Sequence, residues 1–209
     1  MKSKAAFFVL TMILTGCTPK LFRSLDMRPV TSVKMSRGTL MPAFDNLEEA
    51  KYFTAQLDYK DNAMGGVFAL TKEADGRFRM VMMTTFGVPI FDFSVSRDSF
   101  IVNSCMEQMN KKTVLGILEK DFRTILMLNV PEKFSARLYR NNARKDWMGY
   151  GVNADDGECD FIVYPQGKDF VRRVQNGGVI KRMDAVFDDR VVTLQHPKLG
   201  LKIVLTAIE

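Results

Sequence analysis

The chain is poor in the residues that metal and nucleophilic chemistry draw on: of 209 residues, one is histidine and three are cysteine. His196 stands directly before Pro197 and reads as a surface turn residue. Cys105 and Cys159 are far apart and neither belongs to a paired-ligand motif, so no metal site is expected. Outside the cytoplasm these two thiols either form a disulfide or stay free, and spacing does not choose between them. No G-x-S-x-G elbow, phosphate loop or dinucleotide fingerprint occurs, which argues against an enzyme and against any cofactor. Asn153, Asp155, Asp156, Glu158 and Asp160 cluster as calcium ligands do, but the glycine comes too early for an EF-hand and a solvated hairpin turn fits better. Charge of one sign is not in excess either. The net charge of +6 falls to +4 once Lys2 and Lys4 are set aside with the leader, which is no nucleic-acid footprint.

What is present begins with that leader. Lys2 and Lys4 form a positive start, Ala5 to Leu14 an apolar stretch too short to span a bilayer, and Leu14-Thr15-Gly16-Cys17 resembles the bacterial lipobox. The resemblance implies removal of residues 1–16 and lipidation of Cys17. Each buried acyl methylene contributes about 0.8 kcal/mol, so several chains anchor a protein firmly. Thr18 stands where an aspartate would resemble the inner-membrane retention signal, which places the expected address at the outer membrane, facing the periplasm. Residues 17–44, with Pro19, Pro29 and Pro42 among scattered charges, read as a tether, with at most a short strand near Val33 to Leu40.

The stretch from Gly65 to Asn103 organises the remainder. Four apolar runs, Gly65 to Lys72, Arg77 to Phe86, Pro89 to Val95 and Ser99 to Asn103, are separated by Asp75-Gly76, Gly87 and Arg97-Asp98, the punctuation of an antiparallel meander. The second run is apolar on both faces, with Phe78, Met80 and Met82 on one and Val81 and Met83 on the other. Such a strand belongs either to a sheet covered on both sides or to a curved sheet whose concave face holds something apolar. Tyr52 to Lys60 alternates as a half-buried strand before it. Asp45 or Asn46 is placed to cap a short helix over Leu47 to Ala50.

After Asn103 the period changes. Val114, Leu115, Leu118, Phe122, Ile125 and Leu126 form one stripe of a helix from about Lys111 to Leu128, capped by Asn110 or Thr113 and ended before Pro131. Glu132 to Arg144 reads as charged and irregular. Its Arg137, Arg140, Arg144 and Lys145, beside Tyr139 and Trp147, make the local cationic patch, suited to anionic headgroups, an acidic partner or simple solvation. Asp146 to Val152, Cys159 to Tyr164, Asp169 to Val174, Val179 to Phe187, Val191 to Gln195 and Leu201 to Ile208 read as further strands, bringing the number to about eleven.

Gly65-Gly66-x-Phe-x-Leu-x-Lys, Gly76-Arg77-Phe78-Arg79-Met80, Thr85-Phe86-Gly87 and the helix after Asn110, all behind a lipobox, follow an order that resembles the LolA/LolB superfamily of bacterial lipoprotein carriers and receptors. The resemblance implies a mostly β fold over residues 45–209, an antiparallel half-barrel with a helix covering its concave face. It further implies a cavity for the acyl chains of lipoproteins or lipids, as in lipoprotein transport to the outer membrane. Methionine, unbranched and adaptable, suits such a wall. The candidate wall is Phe78, Met80, Met82, Ile90, Phe91, Phe93, Leu118 and Phe122. The competing expectation is a non-enzymatic assembly or scaffold lipoprotein, its sheet filled by its own side chains and its surface bound to an envelope protein partner.

Overall fold

The computed structural model describes residues 20–40, 47, 49–154, 157–166, 169–176, 183–188, 190–197 and 199–208. The leader and Cys17 lie outside them. Antiparallel pairing dominates the fold, and thirteen strands rather than about eleven take part. The strands are β1 (Met27–Ser36), β2 (Lys51–Tyr59), β3 (Asn62–Lys72), β4 (Phe78–Thr84), β5 (Pro89–Val95), β6 (Phe100–Cys105), β7 (Lys133–Asn141), β8 (Met148–Ala154), β9 (Gly157–Gln166), β10 (Asp169–Asn176), β11 (Met183–Asp188), β12 (Val191–His196) and β13 (Leu201–Ala207). They are ordered β1-β7-β8-β9-β10-β11-β12-β13-β2-β3-β4-β5-β6, so β1 and β6 are edges and the sheet does not close into a barrel. Among the described residues three helices accompany them: α1 (Lys20–Ser24), α2 (Arg37–Leu40) and α3 (Lys112–Ile125).

The meander forms as its alternation requires. Gly76 and Gly87 take φ of 86° and 78° at the β3–β4 and β4–β5 turns, a conformation that costs a glycine nothing. Phe53, Ala55 and Leu57 of β2 turn inward while Thr54, Gln56 and Asp58 are exposed or half-exposed. No helix forms at Leu47, Glu49 and Ala50, and Asp45 and Asn46 lie outside the described residues.

α3 starts and stops differently from expectation. Its N-cap is Lys111, with no side-chain cap, in place of Asn110 or Thr113. It ends three residues early because the Leu128 N–H donates to the Arg123 carbonyl (2.8 Å) and the Met127 N–H to that of Thr124 (3.0 Å), a Schellman closure. Met127 takes the left-handed position (φ 52°) usually given to glycine, and its side chain is fully buried. Leu126 to Val130 thus pack inward before Pro131 is reached.

Two expectations are overturned outright. Residues 133–141 are not an irregular loop but β7, whose Phe134 and Ala136 pack in the main core and whose Leu138 is buried, while Lys133, Ser135 and Arg137 face solvent. Residues 20–36 are not merely a tether with a short strand near Val33 to Leu40: that strand is β1, which begins earlier at Met27, gives way to α2 at Arg37, and pairs with β7 from Met27 opposite Asn141 to Ser36 opposite Lys133. α1 is held by a small second core of Leu21, Phe22, Met27 and Tyr139, in which Phe22 stacks on Tyr139 at 4.1 Å. A Cβ on Gly149 would stand 2.5 Å from the Phe22 ring, so β8 is cut away there to admit it.

Candidate functional site

The inner face of the meander is built in rows. Phe53 lies opposite Phe68, Phe68 opposite Met82, and Met82 opposite Phe91, while the next row runs from Leu70 through Met80 to Phe93. Val192, Leu194, Leu201, Ile203 and Leu205 continue this face on β12 and β13. α3 lies over it, with the Phe122 ring 6.0 Å from Phe91 and 6.2 Å from Phe93. Val152 and Ala136, from β8 and β7 beyond the other side of the sheet order, belong to the same hydrophobic cluster.

All eight residues expected to wall a cavity belong to this cluster. Phe78 is half-buried at the start of β4, and the other seven are at most 2% exposed. Phe91 and Phe93 stack on each other at 4.8 Å, so the wall is closed by neighbouring side chains. The face question left by the sequence is answered: Met80 and Met82 point under α3, and Arg79 lies on the opposite face with the half-exposed Val81 and Met83. There Arg79 grips Asp92 with two bonds (3.0 and 2.6 Å), Asn103 Nδ2 donates to the same carboxylate (3.0 Å), and these bonds hold Asp92 below the usual carboxylate range.

Sequence reasoning missed the polar fastening of α3. His196 is not surface decoration but 2% exposed, and its Nε2 lies 2.6 Å from Asp121 Oδ2 on the buried side of α3. Burial pushes the Asp121 carboxyl above its ordinary range, against the His196 bond, which acts to lower it. Among the described residues His196 Nδ1 has no hydrogen-bond partner, so the Asp121 contact carries the ring's polar pairing. The signal was available: His196 follows Val192 and Leu194 at the alternate positions of an inward-facing strand. A second fastening is Arg123, whose Nε donates to the Ser96 carbonyl (3.0 Å).

Among the described residues, two open grooves lie elsewhere. One of about 720 Å³ is lined by Lys34, Met35, Ser36, Thr39, Lys133, Phe134 and Ser135 at the β1–β7 edge, and Met35 and Phe134 also touch the main core. The other, of about 400 Å³, lies across β13, β2 and β3 around Gln56, Gly65 and Val204. Neither is lined by the expected wall residues. At the β4–β5 turn Phe86 is 92% and Val88 60% exposed, an apolar tip within the Thr85-Phe86-Gly87 run.

Cys105 is a free thiol, half-buried, and burial raises its pKa. Among the described residues no group of three His, Cys, Asp or Glu side chains is placed to hold a metal ion. Comparison with family models, curated proteins and solved structures returns no match for the chain.

Proposed function

We propose that the chain is a lipid-anchored envelope protein that takes acyl chains of lipoproteins or lipids between its sheet and α3, with α3 as a displaceable cover. The reading combines the lipobox, the resemblance to the LolA/LolB superfamily and an antiparallel sheet that does not close into a barrel. One observation carries it: a single apolar cluster joins strands from both sides of the sheet order to α3. The helix is fastened over that cluster by a few polar bonds, chiefly Asp121 to His196 and Arg123 to Ser96. An acyl chain replacing α3 side chains on this surface gains roughly 25 cal/mol per Å² of apolar area, as the helix does now, so the polar bonds are what exchange has to overcome. The exposed Phe86 and Val88 provide an apolar tip to meet a membrane or an acylated partner during transfer.

The close packing of the wall favours one second reading, an assembly lipoprotein whose interior is only structural and whose surface binds an envelope partner. Uptake of a fluorescent fatty-acyl probe by the purified chain separates them. Saturable uptake that is blocked when α3 is cross-linked to the sheet supports the acyl reading. No uptake, with no lipid co-purifying, supports the second.

A further inference from the structure

The N-terminal segment is stapled to the sheet, and this fixes where an anchor at Cys17 must sit. Leu21 and Phe22 are buried, and between Cys17 and Leu21 lie only Thr18, Pro19 and Lys20. Four steps of fully extended chain reach about 14 Å at most, so a lipid on Cys17 holds the α1 corner close to the bilayer surface. Asn141 Nδ2 donates to the Leu25 carbonyl (2.7 Å), and Asn141 Oδ1 accepts from the Ala143 and Arg144 N–H groups, so the β7–β8 turn is tied to that corner.

The corner is cationic in an unusual way. Arg28 and Arg140 are directly opposite each other on β1 and β7, and both are exposed. Like charges placed so are destabilising unless an anion lies between or above them. Arg144 and Lys145 are exposed on the tied turn, and the Arg144 guanidinium lies over the Trp147 ring at 4.3 Å. Among the described residues none of these four cations has an ion-pair partner, although Asp26 and Asp146 are exposed in the same corner. Trp147, half-buried beside the cations, is the kind of residue that settles at headgroup depth.

We propose that Arg28, Arg140, Arg144 and Lys145 form a membrane-facing surface that binds the phosphates of anionic phospholipid headgroups and holds the sheet in one orientation on the bilayer. The proposal rests on the reading of Cys17 as a lipid anchor. A cation acts within about 10 Å at ordinary salt, comparable with the reach of the three-residue spacer, so the anchor brings the corner into range of the headgroup charge.

Trp147 is the only tryptophan in the chain and reports directly. The full chain purified from membranes is placed in phosphatidylcholine vesicles with and without phosphatidylglycerol, both containing a headgroup-depth quencher. Quenching of Trp147 several-fold stronger with phosphatidylglycerol, reversed by high salt and lost in Arg28→Gln/Arg140→Gln, is expected. If the double variant does not fold, Arg144→Ala/Lys145→Ala, confined to the turn, gives the same readout with a partial loss. Equal quenching in the two vesicle types, or quenching unchanged by both variants, overturns the proposal. Failure of the chain to stay with pure phosphatidylcholine vesicles instead refutes the anchor, while the salt-sensitive phosphatidylglycerol response still decides the patch.

Discussion

Replacing Asp121 by alanine isolates the fastening of α3. Among the described residues the substitution removes the only hydrogen-bond partner of the His196 ring, whose Nδ1 already has none and which is 2% exposed. Leaving a buried polar group unsatisfied costs about 1–3 kcal/mol, and breaking a buried pair about 3–5 kcal/mol, so a loss near 3 kcal/mol is expected. At 1.4 kcal/mol per tenfold, opening of α3 becomes roughly 100-fold more frequent if the loss falls on local docking. Hydrogen exchange at the Leu118 and Phe122 amides measures this against β2 and β13 as internal references. Asp121→Asn keeps the shape and one hydrogen bond, and costs under about 1 kcal/mol at neutral pH.

The two variants also differ in pH response. Burial raises the Asp121 pKa above its ordinary 3.8, so the folded chain holds a proton that the unfolded chain has released. The associated stability is complete below that ordinary value and is lost as pH rises through the folded value. Asp92, lowered by Arg79, works in the opposite sense, losing its contribution as pH falls from 3.8, which is why the comparison must be between wild type and Asp121→Asn. Wild type should lose stability relative to Asp121→Asn as pH rises from about 4. Parallel stability profiles, or unchanged α3 exchange in Asp121→Ala, would refute the fastening.

Phe22→Ala should cost about 3–5 kcal/mol in chemical denaturation despite its place only five residues past the lipobox cysteine, since the ring is fully buried against Tyr139 and the β8 glycines. Phe86→Ser, at an exposed turn, should leave the denaturation midpoint within the change of about 0.5 kcal/mol typical of surface sites, while slowing transfer of an acyl probe to vesicles. Cys105 should react with a thiol reagent more slowly than free cysteine at pH 8, because burial raises its pKa.

The meander and α3 were legible because each carries its own period and its own turn residues, and β2 to β4 bury the alternate positions that the sequence marks. β7 was not, because its period breaks where Leu138 and Tyr139 are both buried, Tyr139 by Phe22 from a remote segment. The first half of β1, before the short strand expected near Val33, was illegible for a related reason: it carries Pro29 and the exposed Val30, and its strand conformation comes from the ladder that β7 offers. The sequence showed that β4 was apolar on both sides but not which side was covered. Arg79, paired with Asp92 across the outer face, was the clue to that. His196 was misread through the proline that follows it, when the alternation before it gave the correct side.

The central claim is that the space between the sheet and α3 admits an acyl chain. Its most direct test is native mass spectrometry of the full chain taken from membranes, combined with titration of a fluorescent fatty-acyl probe into wild type and Asp121→Ala. The account predicts bound lipid or saturable probe uptake in wild type, with faster uptake when Asp121 no longer holds His196. A chain that carries no lipid and takes up no probe, in either form, contradicts it.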